Sequence, residues 1–171
     1  MHNKIKIVIL AAGKGTRMKS ELPKALAQVR GKYMLHHLLE SIRKVHSDKP
    51  VLVVGHKADL VKKELGNQDF IYALQEEQLG TAHAVAAAQQ ELAGAENIMI
   101  FYADAPFISS ESIKKIIDHH LNSGATVTFV TATVPSFEGK YKNLLYFRVP
   151  VIQRYRKRGA TSVPVKALKC Q

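Results

Sequence analysis

The chain has 171 residues, of which 46% are hydrophobic and 23% charged; this is enough for one globular domain with a full core and too little for two ordinary ones. No apolar run approaches the ~20 residues that a membrane helix needs, which excludes a membrane partner of that kind. The formal charge is +11, yet nine of the 25 Lys and Arg and none of the 14 Asp and Glu lie after residue 138, so the basic excess belongs to the tail and does not mark the whole chain as a nucleic-acid binder.

Apolar patterning alternates between strand and helix from the start. Residues 4–12 read as a buried strand rich in Ile and Val. Met34, Leu38, Ile42 and Val45 recur at helical spacing over 33–45. Residues 50–54 form a second strand closed by Gly55, and 58–65 a short helix ended by Gly66 and Asn67. A third strand spans 70–74 and an alanine-rich helix spans 81–92, with Thr81 as its N-cap. A fourth strand covers 97–102. A helix over 110–121 opens at Ser109 and Ser110 and closes at Asn122, Ser123 and Gly124; a fifth strand covers 125–134. Strands that alternate with helices pair in parallel, so the expected fold is α/β, a Rossmann-like doubly wound and mostly parallel sheet.

Past residue 138 the character changes. Residues 140–171 carry two prolines after 149, the cluster Arg154, Tyr155, Arg156, Lys157 and Arg158, no capping signal and no clear period. Two domains of different kind are therefore expected: a nucleotide-binding unit over 1–139 and an atypical, poorly ordered basic tail over 140–171.

Three stretches carry chemistry. The first is LAAGKGTRMKSELPK, Leu10 to Lys24. In open α/β sheets ligands bind beyond the carboxyl ends of strands. Gly13 and Gly15 let the backbone turn and approach a ligand closely, and successive N–H groups form an anion-binding concavity. Arg17 and Lys24 neutralise phosphate oxygens, Arg as a fork and Lys as a point charge. The pattern is not a Walker A loop, because four residues do not separate its glycines, and it is not a dinucleotide fingerprint, because position 18 is Met. The alternative is a tight turn with solvated basic residues.

The second stretch is YADAPFI, Tyr102 to Ile108. Asp104 directly follows a buried strand at the same sheet edge, where a carboxylate suits Mg²⁺ together with phosphates; the alternative is a turn Asp ahead of Pro106. The third is QEEQLGTAHA, Gln75 to Ala84. Gln75 or Gln78, whose amides donate and accept, could read a base edge, and Gly80 and Thr81 sit where a helix starts; the alternative is a polar loop. His83 reads as a packing or supporting residue. His36 and His37, like His119 and His120, are helical neighbours that point to different sides, so neither pair makes a metal site.

Taken together, these stretches resemble the N-terminal uridylyltransferase domain of the bacterial bifunctional N-acetylglucosamine-1-phosphate uridylyltransferase/glucosamine-1-phosphate acetyltransferase, within the sugar-phosphate nucleotidyltransferases. The resemblance covers residues 1 to about 139. It implies a Mg²⁺-dependent enzyme of cell-wall biogenesis; a cytoplasmic location is expected from the single cysteine, Cys170, which allows no internal disulfide. Such an enzyme joins UTP and N-acetylglucosamine 1-phosphate into UDP-N-acetylglucosamine, with release of pyrophosphate. By the same resemblance Leu10, Ala11, Ala12 and Gly13 hold the nucleoside, and Gly13, Lys14, Gly15, Thr16 and Arg17 wrap the phosphates. Arg17 and Lys24 form the basic catalytic pair, Gln75, Gln78, Gly80 and Thr81 read uracil, and Asp104 is the first magnesium ligand.

The chain departs from that pattern at Ala103, where the family has Gly; an added methyl is expected to crowd whatever approaches the backbone there. Tyr146, Phe147, Arg148 and Val149 hint at a Tyr-Gly-Arg-Ile segment without its glycine. The sugar-binding residues, a second magnesium ligand and the acetyltransferase domain have no match, and the fold is expected to be incomplete at its C-terminus. Three functions compete: the nucleotidyltransferase, with uracil or another base; a nucleotide-binding remnant; and a nucleic-acid or acidic-partner binder acting through residues 154–158. Exposed apolar surface left by an incomplete fold would favour a homo-oligomer. The abrupt loss of acids is what an altered reading frame or terminus would produce; the alternative is a divergent, functional basic tail. On the reading-frame account, translating the encoding DNA in the other frames near codons 140–150 is expected to restore family-like sequence; its failure to do so excludes the frameshift.

Overall fold

The computed structural model describes residues 5–13, 22–132, 151–154 and 165–170, the last two segments, Lys24 and residues 131–132 by backbone alone. Its strands are β1 (Ile5–Leu10), β2 (Gln28–Val29), β3 (Lys32–Tyr33), β4 (Val51–Val54), β5 (Ile71–Leu74), β6 (Asn97–Tyr102), β7 (Val127–Ala132), β8 (Val151–Arg154) and β9 (Val165–Cys170). Its helices are α1 (Met34–Arg43), α2 (Ala58–Leu65), α3 (Thr81–Ala87) and α4 (Ser110–Ser123). A seven-stranded sheet runs β5-β4-β1-β6-β8-β7-β9, and β2 and β3 form a separate hairpin. β1 pairs in parallel with β4 and β6, and β4 in parallel with β5. β8 is antiparallel to both its neighbours. The expected α/β, doubly wound and mostly parallel sheet is the fold observed.

Alternation along the strands builds two cores. Ile7, Ile9, Leu52, Val54, Met99 and Phe101 pack with α1, α2 and α4 on one face. Val8, Val51, Val53, Ala73, Ile98 and Ile100 pack with Ala84, Ala88 and Leu92 on the other. Successive side chains of a strand point to opposite faces, so strands covered on both faces read as continuous apolar runs. In α1, Met34, Leu35, Leu38, Leu39 and Ile42 are the buried stripe. In α4, the Ser109 hydroxyl accepts from the Ser112 N–H at 3.1 Å, and Gly124 at φ +63° closes the helix in the left-handed region.

Four local features differ from the sequence reading. The alanine-rich helix ends at Ala87 rather than 92, because N–H groups of Ala88 and Gln89 bond three residues back, to Val85 and Ala86, and tighten the chain into turns. The Lys6 ammonium then donates to the carbonyls of Glu91 (2.6 Å) and Ala93 (3.1 Å), where helical bonding has ceased. Thr81 is not the N-cap of α3: that position is Gly80, at φ +103°. The β2–β3 hairpin was not legible from periodicity; its turn is Arg30-Gly31, both at positive φ, as in a two-residue hairpin loop. Beyond 134, where periodicity assigns no element, β8 and β9 extend the sheet.

A buried polar trio ties α4 to the sheet. His120 Nε2 lies 3.1 Å from Asn97 Oδ1, and Nδ1 lies 2.9 Å from Thr128 Oγ1. His119, its neighbour, is half-buried, and His37 Nε2 donates to the Val29 carbonyl at 2.9 Å. Among the described residues no group of three or more His, Cys, Asp and Glu could hold a metal ion, and no helix is long and apolar enough to cross a membrane.

Burial holds the imidazoles of His36 and His46 below their ordinary value, outweighing Asp69 and Asp48, which act the other way. The native state therefore prefers both rings neutral, and below about pH 6.5 the unfolded chain binds more protons. Stability contributed above that pH is lost as the pH falls through it. Urea midpoints are expected to drop between pH 7.5 and 5.5, and His46→Gln to flatten that slope.

Candidate functional site

Order within the sheet decides where a site forms. From β1 the chain moves outward to β4 and β5, then returns past β1 to β6. The reversal lies between β1 and β6, and in open α/β sheets ligands bind outside the carboxyl ends of the strands at such a point. Leu10 is paired with Tyr102 across that line, and the Ala103 N–H donates to the Leu10 carbonyl at 3.1 Å. The exits of β1, β4, β5 and β6 thus form one edge.

Ala11 and Ala12 are buried there, and Gly13 is exposed. Gly13 does not lie at positive φ, and among the described residues an added Cβ would meet nothing within 4 Å. Neither strain nor packing against the described residues asks for a glycine at that point. Lys14, Gly15, Thr16 and Arg17 lie outside the described residues. Lys24 opens a 3-10 turn (Lys24–Leu26), and its side chain lies outside the description.

Asp104 is half-buried directly after β6 and Ala103. The Ala103 methyl does not project from the carboxyl edge: it is 3% exposed and belongs to the core on the α1 and α4 face. The expected crowding at the Gly-to-Ala position is therefore absent, because the side chain fills the interior.

Gln75 and Gln78 part company. Gln78, Gly80 and Thr81 are exposed, whereas Gln75 is 3% exposed. The Gln75 N–H donates to the Val54 carbonyl at 2.8 Å, and its side-chain Nε2 lies 3.2 Å from Gly80 O and 3.0 Å from His83 Nδ1. His83 supports Gln75, in keeping with its expected supporting role.

One residue that binds these pieces together carried no functional weight in the sequence. Gly55 follows β4, between the exits of β1 and β5. A Cβ there would lie 3.0 Å from Ala12 Cβ, 3.0 Å from Gln75 O and 3.1 Å from Ala12 O. Only a hydrogen fits in that gap. The next residue continues the contact, with the His56 N–H donating to Ala12 O at 3.4 Å. A glycine directly after an apolar strand was the available signal; the partners it touches are remote in sequence.

The family model of the MobA-like NTP transferase domain matches residues 7–163. The chain belongs to this family. As a member of the NTP transferases it is a nucleotidyltransferase, and the recognised motifs of its first 139 residues fall within the matched region. It is 46% identical over 130 residues to the "Bifunctional protein GlmU" of Desulfotalea psychrophila, covering 75% of this chain and 38% of that one. With the protein of the same name from Streptococcus thermophilus it shares 48% over 127 residues, covering 74% of this chain and 27% of that one. The chain therefore spans about a third of the length of these curated relatives. Among solved structures it is similar in fold to Rv0371c from Mycobacterium tuberculosis, with a TM-score of 0.72, 19% identity and coverage of 99% of this chain and 89% of that one. HddC from Yersinia pseudotuberculosis is also similar, with a TM-score of 0.72, 19% identity and coverage of 97% and 90%.

In this NTP transferase domain, Gly55→Ala must move backbone carbonyls rather than a flexible side-chain tip. It is expected to cost about 1–3 kcal/mol, read as a lower urea midpoint. Ala12→Gly combined with it is expected to recover only part of the loss, because the two carbonyl contacts remain.

Proposed function

We propose that the chain is a sugar-phosphate nucleotidyltransferase that uses UTP and N-acetylglucosamine 1-phosphate and makes UDP-N-acetylglucosamine and pyrophosphate. One observation carries the reading: the β1 exit, the Gln75–Thr81 segment and Asp104 share the carboxyl edge of one sheet, beside the strand-order reversal. Identity of 46–48% to proteins called bifunctional GlmU supports it.

In this reading the backbone of Leu10, Ala11, Ala12 and Gly13 seats the nucleoside. Among the described residues nothing lies within 4 Å of where a Gly13 side chain would start, which suits a ligand that approaches the main chain closely. Lys14, Gly15, Thr16 and Arg17 wrap the polyphosphate, and Arg17 and Lys24 neutralise charge that builds up as the transfer proceeds. A phosphate oxygen of the sugar phosphate bonds to the α-phosphorus of UTP while the bond to the departing pyrophosphate breaks. Such a transfer needs alignment and charge neutralisation more than proton relays, which agrees with a site built of main chain, cations and one carboxylate.

Mg²⁺ fits the donor set. It binds through one or two carboxylates together with substrate phosphates rather than in an all-protein cage, so a single half-buried carboxylate at the edge, Asp104, is the right kind of holder. When bound, the ion supplies positive charge to the phosphates. The recognised motifs of the nucleotide unit lie within residues 1–139, and residues 151–154 and 165–170 of the basic tail join its sheet as β8 and β9.

Calorimetric titration of the whole chain with UTP and Mg²⁺ is expected to show binding that CTP, GTP and ATP do not match. Addition of N-acetylglucosamine 1-phosphate is then expected to release pyrophosphate. Asp104→Asn is expected to lower that release by about 10²-fold or more. UTP binding without release would leave a nucleotide-binding remnant, and no binding of any of the four would overturn the reading.

A further inference from the structure

Gln75 is the buried polar side chain of the carboxyl edge, and the chemistry of its partners fixes which end of the amide faces which way. Gly80 O can only accept a hydrogen bond, so the amide atom 3.2 Å away from it is the nitrogen. That carbonyl also accepts the first backbone bond of α3, from the Ala84 N–H at 3.1 Å, so its position is set by the helix. The same amide nitrogen lies 3.0 Å from His83 Nδ1. An amide nitrogen donates and does not accept, so Nδ1 must present its lone pair, and the ring proton sits on Nε2. Both N–H groups of the Gln75 side chain are thereby used within the protein. Oε1 is what the amide has left to offer a ligand.

We propose that His83 is a specificity-determining positioning residue: with the Gly80 carbonyl it holds the Gln75 amide so that an acceptor, Oε1, meets the pyrimidine edge. This rests on the UTP reading above. An acceptor at that place pairs with the N3–H of uracil and opposes the N3 lone pair of cytosine. His83 touches no part of the nucleotide in this account; it acts by denying Gln75 the flipped orientation, which would present N–H groups and favour cytosine. With the acceptor at Nδ1 removed, one of the two restraints is lost. The amide then samples both orientations, and discrimination between the bases falls.

The test is calorimetric titration of the full chain with UTP and with CTP, each with Mg²⁺, for the native protein, His83→Leu and His83→Asn. The native chain is expected to favour UTP by about 10- to 100-fold, the range set by an unsatisfied acceptor pair. His83→Leu is expected to reduce the UTP-to-CTP ratio by about 10-fold, and His83→Asn, whose Oδ1 supplies an acceptor near the place of Nδ1, to restore most of it. A purely structural role would weaken both nucleotides in parallel, and an unchanged ratio in His83→Leu overturns the proposal while the UTP reading stands. A native chain that binds neither nucleotide overturns the UTP reading and the proposal with it. Should His83→Leu fail to fold, ¹⁵N–¹H correlation of the native His83 ring decides: the proton on Nε2 is the expected result, and the proton on Nδ1 overturns the proposal.

Discussion

The double burial of β1 is the constraint on which the rest of the molecule depends. Ile7 and Ile9 face one core and Val8 the other, and all three are at most 1% exposed. A strand covered on both faces must satisfy its main chain through neighbours, and β1 does so in parallel with β4 and β6. Parallel neighbours need crossover helices, and these cover the two faces. The central strand therefore dictates both the helices around it and the edge at which its own glycine-rich exit emerges.

At that edge the backbone of four strands comes together with almost no side chain between. Gly55 stands between Ala12 and Gln75, where an added Cβ would lie 3.0 Å from an atom of each, and main-chain bonds join Ala11 to Val53, Gln75 to Val54 and Ala103 to Leu10. Interiors packed at this density do not absorb an added methyl without moving their neighbours. The loop exits are thus positioned by the sheet itself. Such an edge suits a nucleotidyltransferase, whose chemistry asks for aligned phosphates rather than for an elaborate acid–base set. Contrast between Gln75, turned inward onto Gly80 and His83, and the exposed Gln78 shows that one segment holds both a support and a surface.

Much of this is legible in the sequence. The order of strand and helix from β1 to β7 follows from apolar runs and helical spacing, because both reflect burial that local sequence must encode. The short hairpin of β2 and β3 escaped, since two-residue strands carry no period, and α3 ended five residues early, since alanine favours helix without specifying where tertiary packing stops it. Residues 151–154 and 165–170 found sheet partners that no local signal names: β8 pairs with β6 and β7, and β9 with β7 alone.

By itself the sequence determined the α/β class, the glycine-rich strand exit, the carboxylate after β6 and the family they point to. These are local patterns, set by residue type and spacing along a few turns of chain. Tertiary structure alone decided that Ala103 turns its methyl into the core, that Gly55 stands between Ala12 and Gln75, and that Gln75 spends both its N–H groups on Gly80 and His83. Each of those facts is a contact between groups brought together by the sheet. Direction, distance and hydrogen-bond partner depend on where neighbouring strands lie, and a one-dimensional pattern does not contain that information.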